Sequence, residues 1–208
     1  MLPMSIAELN STIVLMFTVI DPLGTVPVFT AVTERHSANE RNWIALRAVL
    51  IAGAVLMFFI VSGQFLLDAM AVPLDAFQIA GGAILFLFAL SMIFGDSKPQ
   101  QEENLIRSYH ETAAFPLAVP SIASPGAIMA VMLLTDGHRF SLPHQLVTII
   151  VMIAILAITF VLMLLSRQIV CAIGTGGMGV ISRVMGMLLA SVAANNVLAG
   201  LSDYFFKG

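Results

Sequence analysis

The chain has 208 residues, 59% hydrophobic and only 10% charged, with a mean hydropathy of +1.00 and a formal charge of −3. Soluble domains carry about 25% charged residues, so this composition excludes a water-soluble fold, and nine Lys and Arg with no basic stripe exclude a nucleic-acid partner. The single cysteine, Cys171, excludes an internal disulfide, a CxxC redox pair and a thiolate cluster.

A hydrocarbon core of about 30 Å takes about 20 residues of helix. Six stretches fit, approximately 7–31, 43–67, 74–94, 114–134, 145–166 and 184–205. Residues 1–10 contain Glu8 and no Lys or Arg, so the first segment is expected to remain in the protein and not to be cleaved as a signal peptide. It carries TVIDPLGTVPVF, with Asp21 the one acid well inside a span. Pro22 removes a backbone donor and clashes with the preceding turn, a cost of ~3 kcal/mol in a helix interior. With Gly24 nearby, a break is expected there.

Ser37 and Glu40 have capping-box spacing, which starts segment 2 near residue 38. Pro73 and Pro143 fit first helical turns and mark entries to segments 3 and 5. Gln78 lies early in segment 3. The connection at about 95–113 is polar and acidic. Segment 4 carries VPSIASPGAIMAVM, where Pro125 and Gly126 repeat the break with Ser121 and Ser124 beside it. Gly174, Gly176 and Gly179 spell GxGxxG, but no strand precedes them and no acid lies about 20 residues on. The stretch reads as a flexible cytoplasmic hinge, followed by segment 6 with Asn195 and Asn196.

Three segments per half mean that any similarity between halves is an inverted repeat. Repeat one covers about 1–95 and repeat two about 114–208 of a single domain. A displacement of 105 residues places Gly81 on Gly186, Ser91 on Asn196 and Gly95 on Gly200. Arg35, Arg41, Arg47, Lys98, Arg107, Arg167 and Arg183 fall on one side of the six spans, Arg139 and Lys207 on the other. The positive-inside rule then places the odd-numbered connections in the cytoplasm and both termini outside. The expected fold is an all-α membrane protein of six transmembrane helices, two inverted three-helix repeats with helices 1 and 4 discontinuous.

A broken helix frees carbonyls at one half's end and N–H groups at the other's start, and in lipid these must line a cavity or meet protein. The new N-terminus presents a positive dipole end suited to a carboxylate. Asp21 can cap the half-helix that follows, contact a substrate or take part in proton coupling. Asn195 and Asn196 are either interhelical hydrogen-bonding groups or substrate contacts. No GKS or GKT is present, no HExxH involves His36, His110, His138 or His144, and no GxSxG lies in a span. No ATP, metal, cofactor or enzymatic activity is expected.

IDPLGTVPVF at 20–29, PSIASPGAI at 120–128 and RVMGMLLASVAANNVLAGL at 183–201 resemble the MarC family of bacterial and archaeal inner-membrane proteins, over nearly the whole chain. The resemblance implies membership of the LysE superfamily, in which the family's small neutral amino acid transporters act on glycine and alanine. It also implies a substrate site at the discontinuous helices. By motif the site takes Asp21, Pro22, Gly24 and Thr25 from the first break and Ser124, Pro125 and Gly126 from the second, with Asn195 and Asn196 closing it. The expected function is secondary transport of neutral amino acids of glycine, alanine or serine size, coupled to a proton or sodium gradient. The alternatives are a non-transporting structural or regulatory membrane protein, and an exporter or channel for another small solute.

Overall fold

The structure, a computed structural model, describes residues 4–34, 36–94, 113–137 and 140–206. The expected polar connection at about 95–113 therefore lies outside the described residues except for Ala113, as do Arg35, His138, Arg139 and Lys207. Every regular element among the described residues is helical: α1 (Ile6–Ile20), α2 (Pro22–Val32), α3 (Ala38–Ala69), α4 (Leu74–Phe94), α5 (Ala113–Ile122), α6 (Pro125–Leu134), α7 (Leu142–Leu164) and α8 (Ser166–Phe206).

Local chemistry sets these boundaries. Ser37 and Glu40 form the expected capping box, and Ser5 with Glu8 forms a second one that starts α1. Pro143 sits in the first turn of α7, and α4 begins immediately after Pro73. In α5 the backbone turns extended at Phe115 (φ −136, ψ 125) and Val119 (φ −136, ψ 124). Each of these precedes a proline, whose Cδ disfavours helical geometry in the residue before it.

Among the described residues, five helical runs are long and apolar enough to cross a membrane: Ile6–Val32, Ala38–Ala69, Leu74–Phe94, Leu142–Leu164 and Gly179–Phe205. The pair α5–α6, bent by 56°, makes a sixth if counted as one span. At the expected hinge before segment 6, α8 runs helical from Ser166 and departs from helical geometry at Gly174, whose φ of 74 lies in the region glycine tolerates.

The run Ile6–Val32 is the centre of the bundle, with 67% of its most apolar window buried against 22–39% for the other single spans. The outward sides of α3, α4, α7 and α8 present Phe58, Phe65, Leu87, Ile150 and Leu198, which suits contact with lipid. The closest packing joins α4 to α8, antiparallel. A Cβ on Gly82 would lie 3.1 Å from the carbonyl of Ala193, and one on Gly186 would lie 3.1 Å from the carbonyl of Ala89. Gly200 meets the carbonyl of Asp75 in the same way, at 3.0 Å. Asp75, Gly82 and Ala89 recur every seven residues, as do Gly186, Ala193 and Gly200. Small residues at that spacing let two membrane helices approach backbone to backbone. Gly81, which a displacement of 105 pairs with Gly186, is outside this seam; its missing side chain makes room for Met129 of α6.

Candidate functional site

The first break is a single residue. Asp21 adopts φ 52, ψ 65, a left-handed conformation that short polar side chains tolerate best after glycine. Its N–H donates to the carbonyl of Phe17 and closes α1, while its carboxylate accepts from the N–H of Gly24 at 2.9 Å and opens α2. Thr25 donates both its N–H (3.1 Å) and its hydroxyl (3.0 Å) to the Asp21 carbonyl. A Cβ on Gly24 would lie 2.0 Å from Asp21 Oδ2, so the carboxylate occupies the space of a side chain. Asp21, Pro22, Gly24 and Thr25 are all buried.

The second break follows the same plan with a different cap. Ser124 has an extended backbone (φ −67, ψ 158), its Oγ accepts from the N–H of Ala127 at 3.1 Å, and Pro125 begins α6. Ser124 and Gly126 are buried while Pro125 is exposed. In each new first turn the proline has no N–H, the third residue is capped, and the N–H of the fourth (Thr25, Ile128) bonds the cap's carbonyl. That leaves the amides of Leu23 and Gly126 as the uncommitted donors of the two turns.

The breaks meet. The Ser124 hydroxyl donates to the carbonyl of Val19 in the last turn of α1 at 3.0 Å, across 105 residues of sequence. Three residues before Ser124 in the chain, Ser121 is 1% exposed and its Oγ has no hydrogen-bond partner among the described residues. Buried hydroxyls are normally satisfied, so this one is a polar group without a protein partner on the segment that leads into the second break.

Asn195 and Asn196 are placed elsewhere. Asn195 is exposed and Asn196 half-buried, and both line a cavity of about 380 Å³ with Ser11, Thr12, Leu15, Leu134, Ser191 and Val192. None of the break residues lines that cavity. The structure thus places the two amides against the N-terminal half of α1, about two to three turns before Asp21, and does not bring them to the breaks.

The chain matches, over residues 6–205, the family described as MarC family integral membrane protein. The chain belongs to the MarC family. Its curated MarC relatives include the UPF0056 membrane protein YvbG of Bacillus subtilis, 32% identical over 91% of this chain and 92% of the relative, and the UPF0056 membrane protein MJ1677 of Methanocaldococcus jannaschii, 31% identical over 89% and 92%. The UPF0056 inner membrane protein YhgN of Escherichia coli K12 is 30% identical over 93% and 96%. No solved structure matches.

Two polar contacts of this MarC protein were not foreseen from sequence. Gln64, late in α3, donates to Asp136 Oδ1 at 3.0 Å and accepts from the N–H of Gly137 at 3.2 Å, which ties the ends of α3 and α6. Arg41 donates to Ser166 Oγ at 2.9 Å, 125 residues away. Both involve long-range partners that periodicity does not pair. The greater breadth of the second break was not foreseen either, although Pro116 and Pro120 ahead of Pro125 carry a signal for it.

Proposed function

We propose that this MarC protein is a secondary transporter of small neutral amino acids, working by alternating access around the junction of the two breaks. The observation that carries the proposal is the Ser124 hydroxyl bonded to the Val19 carbonyl, because it brings both helix starts to one buried place. There the amides of Leu23 and Gly126 suit a substrate carboxylate, and the unpartnered Ser121 Oγ offers a further contact. The glycine and alanine positions in the two first turns favour substrates of glycine to serine size.

In this proposal α1–α2 and α5–α6 are discontinuous membrane helices of two inverted repeats. The α4–α8 seam supports it: the contacts Gly82 to Ala193 and Ala89 to Gly186 interchange under a displacement of 104 residues. The breaks interchange under 103, Asp21 with Ser124 and Pro22 with Pro125. The similarity to YhgN, an inner membrane protein of Escherichia coli, supports an inner-membrane location, and the charge asymmetry supports both termini lying outside. Cys171 is exposed in α8 on the side assigned to the cytoplasm. In intact cells it should resist a membrane-impermeant thiol reagent and react after permeabilisation; labelling in intact cells would reverse the orientation.

The test of the function is uptake of labelled glycine, alanine and serine into proteoliposomes with an imposed proton or sodium gradient. Accumulation above a protein-free control is expected, and none for all three substrates rejects the proposal. A second reading has its own support. Each cap bonds within its own turn, and the spaces at Gly24 and Gly126 are filled by Asp21 and by Leu85, whose Cδ1 lies 2.1 Å from a Cβ built on Gly126. On that reading the breaks are packing devices, and no substrate moves or stabilises the protein.

A further inference from the structure

Arg41 is 6% exposed although it lies in the second turn of α3. A guanidinium carries five N–H donors. One reaches Ser166 Oγ at the α7–α8 junction, and the guanidinium carbon lies 5.4 Å from the centre of the Phe29 ring, near the end of α2. No carboxylate among the described residues contacts it. Arg167, the exposed neighbour of Ser166 in the chain, brings a second positive charge to the same junction. Among the described residues no anion faces the buried Arg41, and a buried charge without a counter-charge is costly.

The depth of this site is marked by the opposite face of α3. Trp43 is 55% exposed, and the guanidinium carbon of Arg47 sits 5.6 Å from the centre of its ring. Exposed tryptophan with a snorkelling arginine is characteristic of the level where hydrocarbon meets headgroups. Arg41 is about 3 Å further along the helix toward its start, at the height of lipid phosphates. Ser166 accepts from Arg41, so its own O–H remains available to donate.

We propose that Arg41, Ser166 and Arg167 bind one phosphate oxyanion between α2, α3 and the α7–α8 junction. The planar guanidinium of Arg41 supplies paired donors matched to phosphate oxygens, the Ser166 hydroxyl supplies a third, and the Phe29 ring closes the apolar side. The source is an anionic headgroup of the adjacent leaflet or free inorganic phosphate. The proposal stands independently of the transport reading.

The test uses the delipidated full chain in neutral detergent, followed by thermal unfolding and native mass spectrometry. Phosphatidylglycerol, phosphatidylcholine and inorganic phosphate are added in separate arms. A rise in melting temperature with phosphatidylglycerol alone assigns the lipid, and a rise with inorganic phosphate as well assigns the free ion; both support the site. Arg41→Gln should weaken binding at least about tenfold, since one charge-assisted hydrogen bond is worth ~1.5 kcal/mol or more. Ser166→Ala, which leaves the charge in place, should weaken it about threefold or more and serves if Arg41→Gln does not fold. The proposal is overturned if neither phosphatidylglycerol nor phosphate acts on the wild type. It is equally overturned if phosphatidylcholine acts as strongly as phosphatidylglycerol, or if the variant that folds responds as the wild type does.

Discussion

The two breaks share a two-residue signal, a capping side chain followed by proline, yet they bend the chain differently. Asp21 takes up the left-handed region and serves as the end of α1 and the start of α2 at once, so Ile6–Val32 still runs as one 27-residue span. Ser124 has ordinary extended geometry, is preceded by Val119 and Phe115 in extended conformation, and joins segments bent by 56°. One residue that can be left-handed redirects a helix without unwinding it; two pre-proline residues unwind a longer stretch. The tight break sits at the centre of the bundle and the loose one packs against it. Motion about the site is then expected to come from α5–α6.

The largest test of this difference is a pair of glycine substitutions. Gly24→Ala drives a methyl into the Asp21 carboxylate, whose other oxygen is held by the Gly24 N–H. Overpacking and the lost cap, less the gain in helix propensity, should cost about 2–3 kcal/mol. Gly126→Ala meets the tip of Leu85, which has rotamers to escape into, and should cost about 1 kcal/mol or less. Thermal unfolding of the two variants checks the ranking, and equal losses would remove the distinction between a tight and a loose break.

Next in size is Ser124→Ala, which deletes both the cap and the link to Val19. A loss of about 2 kcal/mol is expected, one part for each hydrogen bond. A loss confined to about 1 kcal/mol would mean that the bridge between breaks adds little. Asp21→Asn should change stability by no more than about 0.5 kcal/mol, because asparagine caps as well and tolerates the left-handed region. It therefore isolates charge from structure. If Asp21 couples transport to a gradient, driven uptake falls while exchange persists; unchanged driven uptake assigns it to the cap alone.

Much of this was legible in the sequence because it is local. The capping box at Ser37 and Glu40, the prolines at entries and breaks, and the capping capacity of Asp21 each depend on residues within one turn. The rest depends on partners distant in the chain. Identifying Gly82, and not Gly81, as the seam residue requires knowing which face of α4 meets α8, and uniformly apolar spans do not display that by periodicity. Asn195 and Asn196 were legible as polar groups in a span, but their rotation toward Ser11 and Thr12 is set by packing alone. Arg41 looked like one more cytoplasmic charge until Ser166 and Phe29 enclosed it.

The smallest structural change carries the most direct test. Ser121 Oγ has no partner to lose, so Ser121→Ala should leave the melting temperature within about 2 °C of wild type. If the junction of the breaks is the substrate site, the same variant should slow counterflow of labelled alanine in proteoliposomes by about tenfold, the worth of one buried hydrogen bond to a charged group. Alanine exchange by the wild type and its loss in a fully stable Ser121→Ala protein is the result this account predicts. No exchange by the wild type, or undiminished exchange by the variant, would contradict it.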